Sequence, residues 1–144
     1  MPCEHCINRR EFLSTAAAGA AFVAVAGCGD GDVSGVAPLV QLPPGPVVIT
    51  VGNFAPLANP GIFVQVPGVP IAVKRLDVAT FLALSMVCTH AGCPVDIVSG
   101  QAFDCPCHRS TFDGNGSVTR GPAEQPLPSL STTYHSATDQ LTIG

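Results

Sequence analysis

Charged residues are scarce in this chain, and basic residues are the scarcest of them. Charged residues make up 11% of the chain, Lys and Arg together number 6, and hydrophobic residues reach 47%. A chain with so many apolar and so few charged residues does not have the composition of an intrinsically disordered protein. The net charge is −4 and the sequence contains no basic stripe, so nucleic-acid binding has no electrostatic support.

Long helical patterns are also missing beyond residue 28. Short β-branched or apolar runs are instead separated by turn residues, and the chain contains 15 Gly and 14 Pro. These runs lie at 47–51, 62–66, 71–73 and 81–87. Two further runs, at 130–135 and 140–143, indicate a closing hairpin. The pattern predicts an all-β fold, as an antiparallel sandwich or small barrel.

The sequence has no Ser/His/Asp constellation, phosphate-binding loop or mononuclear iron triad, but it has two boxes of cysteine and histidine. Box 1 is Cys88–Cys93, with the sequence CTHAGC, and box 2 is Cys105–Ser110, with the sequence CPCHRS. Two thiolates and two imidazoles can bind a pair of irons unsymmetrically. Structural zinc sites use other spacings, and a mononuclear zinc site would leave Cys93 and Cys107 without a purpose. The boxes therefore favour an iron–sulfur site over zinc.

The two boxes resemble those of Rieske proteins of the cytochrome bc type, which carry an additional cysteine in each box. The resemblance implies one 2Fe–2S cluster per chain, in a domain at residues 46–144 with two cluster-binding loops at one end. The interval between the boxes is slightly shorter than the family pattern. The ligands implied by the resemblance are Cys88, His90, Cys105 and His108. A disulfide between Cys93 and Cys107 is implied as well, and it requires an oxidising compartment.

The resemblance extends to residues around the boxes. Ser110 matches the family serine that hydrogen-bonds a bridging sulfide, and Phe112 stands where high-potential members have a tyrosine. Gly121 and Pro122 match the loop that covers the cluster, with Glu124 where a further proline is expected. We therefore expect a middle-to-upper reduction potential, below that of the tyrosine-bearing members.

The N-terminus has the features of an export signal. Arg9 and Arg10 resemble a twin-arginine motif, and the apolar run that follows is shorter than the roughly 20 residues of a membrane span. Val25–Cys28 resembles a lipobox, which predicts lipidation of Cys28 after removal of residues 1–27. The alternative is an uncleaved membrane anchor. In both cases a tether at 28–45 would hold the domain at the extracytoplasmic side of a membrane.

These features predict a one-electron carrier rather than a complete enzyme, because the second iron domain of Rieske oxygenases has no room here. The first hypothesis is an iron–sulfur subunit of a membrane-associated respiratory complex that passes electrons from quinol at a cytochrome b to a cytochrome c. The alternatives are the small subunit of a molybdenum enzyme such as arsenite oxidase, next to a molybdopterin subunit, and a free-standing Rieske lipoprotein.

Overall fold

The structure, a computed structural model, describes residues 41–144. The predicted export signal with Arg9, Arg10 and Cys28, and most of the predicted tether, lie outside this part of the chain. Residues 41–144 form eleven β-strands and two short 3-10 helices, and all the strand pairs are antiparallel. The expected all-β, antiparallel fold is therefore confirmed. Within the described residues, no helix has the length and apolarity needed to cross a membrane.

The strands are short and follow one another closely. Their bounds are β1 Val47–Thr50, β2 Phe63–Gln65, β3 Ile71–Arg75, β4 Phe81–Ser85, β5 Asp96–Val98, β6 Ala102–Asp104, β7 Thr111–Phe112, β8 Val118–Arg120, β9 Ser129–Leu130, β10 Thr132–His135 and β11 Gln140–Ile143. The 3-10 helices are Val51–Asn53 and Ala55–Ala58. β10 and β11 pair as the predicted closing hairpin, with Thr132 opposite Ile143.

The strands form three sheets, with the orders β1-β11-β10, β2-β3-β4-β9 and β5-β6-β7-β8. The second is the central sheet, because successive side chains of its strands enter two different cores. Ala72 and Leu84 belong to one core with Phe103 and Phe112 of the third sheet. Their neighbours on β3 and β4 belong to the other core with residues of the first sheet, such as Leu141. The central sheet is therefore covered on both faces.

An aromatic contact joins the central sheet to the β5-β6-β7-β8 sheet. The rings of Phe63 and Phe103 meet edge to face, with their centroids 4.9 Å apart, a geometry that aromatic pairs prefer. Phe103 is 1% exposed. This packing fixes the third sheet on the central one, and both sheets supply the loops described below.

The first 3-10 helix is tied to the closing hairpin through Asp139. The Asp139 carboxylate accepts hydrogen bonds from the Gly52 N–H at 2.7 Å and from the Tyr134 hydroxyl at 2.8 Å. These two donors, the Tyr134 hydroxyl first, hold the pKa of Asp139 below its usual value. A carboxyl whose pKa is lowered by folding stabilises the fold above its unfolded-state pKa, and this contribution is lost as the pH falls through the folded-state pKa.

We expect Asp139→Asn to lower the midpoint of thermal unfolding at about pH 7, because the amide is a weaker acceptor than the carboxylate. Asn tolerates the positive φ of 53° at this position, so the backbone should not change. The difference from wild type should shrink as the pH falls below about 4, the usual range of the carboxyl pKa. Thermal unfolding followed across this range checks the expectation. An equal difference at every pH would show that the charge is not involved.

Candidate metal centre

The two boxes are loops that leave the central sheet and the third sheet. Box 1 lies between β4 and β5, and box 2 begins at Cys105, directly after β6, and ends at Ser110, directly before β7. A bridge between Val87 and Pro94 closes the base of box 1. Since β6 pairs with both β5 and β7, the strand ends hold the two loops side by side.

The two boxes have the same backbone hydrogen-bond pattern. In box 1 the Cys88 N–H donates to the Cys93 carbonyl at 2.7 Å, and the Gly92 N–H donates to the Cys88 carbonyl at 2.9 Å. In box 2 the N–H of Cys105 donates to the Ser110 carbonyl at 2.8 Å, and the N–H of residue 109 donates to the Cys105 carbonyl at 2.9 Å. The two loops are therefore structurally equivalent, with a cysteine at the first position of each.

A disulfide bond joins the boxes. Cys93 and Cys107 are bonded, with their Cα atoms 6.6 Å apart, so the disulfide expected from the sequence is confirmed. The sulfur atoms of Cys93, Cys105 and Cys107 lie within 4.8 Å of one another. Because two of these three sulfurs are bonded to each other, Cys105 is the one of the three that can bind a metal.

The remaining two cysteines of the boxes are buried thiols that lie next to each other. Cys88 is 2% exposed and Cys105 is 1% exposed. Burial raises the pKa of the Cys105 thiol and its hydrogen bond with Cys88 raises it further, while the backbone N–H groups of His108 and Cys107 lower it. Two buried thiolates repel each other unless a cation lies between them, and the nearby N–H groups suit a bound thiolate.

The two histidines of the boxes lie together at the surface. The rings of His90 and His108 have their centroids 4.8 Å apart and meet edge to face, and both residues are exposed. The structure thus brings the four predicted ligands together as two pairs, with the thiols buried and the imidazoles exposed. This donor set, with its soft and borderline ligands, fits a 2Fe–2S group with two Cys and two His ligands.

The segment 121–126, here called the proline loop, is tied to both boxes. The buried Ser110 hydroxyl accepts a hydrogen bond from the Ala123 N–H at 2.9 Å. The Thr89 hydroxyl donates to the Gln125 carbonyl at 2.6 Å. Gly121 and Pro122, joined by a cis peptide bond, lie in this loop and are exposed, as is Glu124. Thr89 was not predicted, because its partner is 36 residues away and no local pattern links them.

Phe112 and Ser110 lie on the buried side of the third sheet. Phe112 is 1% exposed and Ser110 is 0% exposed, and Phe112 shares a core with Cys88 and Cys105. Ser110 directly precedes β7, and Phe112 is the last residue of that strand. Both residues predicted to tune the site are therefore inside the domain, on the side of the buried thiols.

Comparison with known protein families agrees with this geometry. Residues 47–131 match the Rieske 2Fe-2S domain, a segment that includes both boxes and the proline loop. The chain belongs to the Rieske 2Fe-2S family. Its cofactor is accordingly a 2Fe–2S cluster, and the donor set described above fits that group.

Several longer proteins contain a segment that is similar to this Rieske chain. A carotenoid phi-ring synthase of Chlorobaculum tepidum is 42% identical over 78 residues, which are 54% of this chain and 12% of the synthase. A cytochrome b6-f complex iron-sulfur subunit of Gloeobacter violaceus is 37% identical over 83 residues, covering 46% of this chain and 45% of that subunit. The corresponding subunit of Synechococcus sp. (strain JA-3-3Ab) is 49% identical over 64 residues, covering 44% and 37%.

The Rieske chain thus spans less than half the length of each of these curated relatives. Among solved structures, the crystal structure of the cyanobacterial plasma membrane Rieske protein of Synechocystis PCC 6803 is similar to it. That structure is 28% identical, with a TM-score of 0.46, and the match covers 57% of this chain and 83% of the other.

Proposed function

We propose that this Rieske protein is a one-electron carrier, the iron–sulfur subunit of a membrane-associated respiratory complex. The ligands we assign to its cluster are Cys88, His90, Cys105 and His108. The observation that supports the proposal is the separation of the two pairs, with both thiols at most 2% exposed and both imidazoles at the surface. A group held in this way can meet a redox partner through the imidazoles while the thiols remain in the core.

The 2Fe–2S cluster supplies one-electron chemistry, at potentials raised by the replacement of two thiolates with neutral imidazoles. The protein's own residues hold the loops of the site together. Ser110 and Thr89 hold the proline loop against the two boxes, and the disulfide holds the boxes against each other. With the loops held in this way, the exposed edges of His90 and His108 are the route to a partner.

We further propose that electrons pass from quinol at a cytochrome b to a cytochrome c. Relatives named as cytochrome b6-f complex iron-sulfur subunits support cytochrome partners. The twin-arginine motif and the lipobox at Cys28 support export with the cluster already bound, and attachment to the extracytoplasmic side of a membrane. In this proposal residues 1–27 are the export signal, 28–45 the tether and 46–144 the functional domain.

The partner is tested by purifying the protein from its native membrane and identifying what purifies with it. We expect a cytochrome b and a cytochrome c, and quinol should reduce the cytochrome c only when the Rieske protein is present. Co-purification with a molybdopterin subunit would replace the respiratory complex by the molybdenum-enzyme alternative. A protein that purifies alone, and that quinol does not reduce through any membrane fraction, would contradict both.

We expect Phe112→Tyr to raise the reduction potential by tens of millivolts. Phe112 shares its core with Cys88, and a hydroxyl near the sulfur would form a hydrogen bond that strengthens when the cluster is reduced. If this hydrogen bond is stronger by about 1 kcal/mol in the reduced state than in the oxidised state, the reduction potential rises by roughly 40 mV for one electron. Protein-film voltammetry measures the shift, with EPR showing that the cluster is retained.

Phe81→Tyr is the matched control, because Phe81 is also buried, at 5% exposed, but belongs to the other core, which contains neither Cys88 nor Cys105. The control should lose stability without a rise in potential. If a stably folded Phe112→Tyr variant keeps the wild-type potential, residue 112 is a packing residue and does not tune the cluster.

A further inference from the structure

Arg109 has a backbone conformation that glycine would adopt at less cost. Its φ is 65°, and Gly92, at the equivalent position of box 1, has a φ of 73°. Both residues donate their N–H to the carbonyl of the first cysteine of their box at 2.9 Å. Left-handed backbone is unfavourable for a residue with a Cβ. Since glycine serves this loop geometry in box 1, the arginine in box 2 points to a function of its side chain.

Arg109 lies at the end of the domain where the two imidazoles are exposed. It directly follows His108 and is itself exposed. The two boxes and the proline loop carry two charged residues in all, Arg109 and Glu124, and Arg120 immediately precedes the proline loop. Asp104 likewise immediately precedes box 2. This end of the domain therefore has two guanidinium groups and two carboxylates, a local balance in a chain whose net charge is −4.

Arg109 and Arg120 also line one hollow on the third sheet, with a volume of about 450 Å³. The hydroxyls of Thr111 and Thr119, which also line it, hydrogen-bond to each other at 2.7 Å. Of the two carboxylates in the hollow, Asp113 accepts the N–H groups of its own turn, at 2.8 Å and 2.9 Å, and faces Lys74. Asp104 is left against two guanidinium groups.

We propose that Arg109, together with Arg120, docks a carboxylate-bearing surface of the redox protein that accepts the electron. A guanidinium group binds a carboxylate through two parallel hydrogen bonds, and a charge at the rim of an interface increases the rate of association. Docking at Arg109 would bring an acidic partner next to His108. This inference rests on the proposed electron-transfer function and adds the chemistry of the partner surface.

The test compares two one-electron oxidants of opposite charge, the anionic hexacyanoferrate(III) and the cationic tris(phenanthroline)cobalt(III). One electron passes from the reduced protein to the metal of the reagent, which is reduced, and no bond forms or breaks. Stopped-flow measurements give a rate constant for each reagent at low and high ionic strength. A change in reduction potential alters both rate constants in the same direction, so their ratio, anionic over cationic, reports the charge at the docking site.

In Arg109→Gly this ratio should fall by roughly five- to tenfold at about 10 mM salt, and the difference should nearly vanish at about 1 M. Arg109→Gln should behave in the same way, and Arg109→Lys should keep the wild-type ratio. Arg120→Gln should lower the ratio by a smaller factor. Glycine fits the backbone at this position, so the thermal midpoint of Arg109→Gly should not fall.

An unchanged ratio in both neutral variants, with the EPR signal of the cluster retained, would overturn the docking role of Arg109. A fall that Arg109→Lys also shows would overturn it as well, because the charge would then not be the cause. Failure of the proposed function has a different result: a wild-type protein that exchanges no electron with either oxidant. The two failures are therefore distinguishable in one set of measurements.

Discussion

Replacing His108 by Cys or His90 by Ala should abolish or transform the EPR signal of the reduced protein. We expect the wild type to give a rhombic signal with an average g well below the free-electron value, as for a cluster with mixed Cys and His ligands. The two imidazoles lie together at the surface, and in the proposed ligand set each of them supplies one ligand. His90→Ala should therefore lose the cluster, while His108→Cys should lose it or form one with a changed signal and a lower potential.

His135→Ala is the matched control. His135 is also exposed, and it belongs to β10, in the sheet on the opposite side of the central sheet. This variant should keep the signal, the iron and the acid-labile sulfide of the wild type. One zinc per wild-type chain with no acid-labile sulfide would contradict the iron–sulfur assignment. Wild-type signals in both ligand variants would contradict the assignment of the two histidines.

Much of the fold could be predicted because its longer strands are made of β-branched and apolar runs. β1, β3, β4 and the closing hairpin lie within or overlap the segments predicted from the sequence. Val51 was predicted to end a strand, but it begins a 3-10 helix, in which the Phe54 N–H donates to the Val51 carbonyl at 3.0 Å. The Asp139 carboxylate, which accepts the Gly52 N–H of this helix, is too distant in the sequence to give a local signal.

The third sheet was not predicted strand by strand. Its strands have two or three residues each, which is too short for an alternating pattern to emerge. The turn between β7 and β8, by contrast, contains Asp-Gly and Asn-Gly pairs, which are typical turn sequences, and Asp113 accepts two backbone N–H groups there. Local turn chemistry is readable from the sequence even where strand pairing depends on tertiary packing.

The candidate site, like the fold, could be predicted only where its signal is local in the sequence. The spacing within each box indicated the ligand types, because a metal site needs its donors close together along the chain or at loop ends. The burial of Cys88 and Cys105 and the exposure of the histidines depend on how two sheets are packed, which spacing does not encode. The same is true of Arg109, whose backbone conformation becomes informative only beside that of Gly92. The four-ligand assignment itself stays a prediction.

Removing the disulfide should shorten the lifetime of the cluster far more than it destabilises the strands. The bond between Cys93 and Cys107 closes a segment with a sequence separation of 14 and joins the two boxes directly. Loss of a native disulfide typically costs about 2–5 kcal/mol, and about 3 kcal/mol acting on the two loops alone would raise their opening equilibrium roughly a hundredfold. The first and central sheets share a core without either cysteine, so most strand pairing should remain.

The double variant Cys93→Ala/Cys107→Ala is preferable to either single one, because a single variant leaves a free thiol beside Cys105. Loss of iron to a chelator should accelerate by one to two orders of magnitude, roughly as the loop-opening equilibrium does. The circular dichroism of the β-sheets should change little at the same temperature. Thr89→Val provides a graded comparison, since it removes the hydrogen bond from box 1 to the proline loop at Gln125 and should accelerate iron loss less. If the double variant releases iron at the wild-type rate, the proline loop and the strand ends hold the boxes without help from the disulfide, and the clamp is refuted.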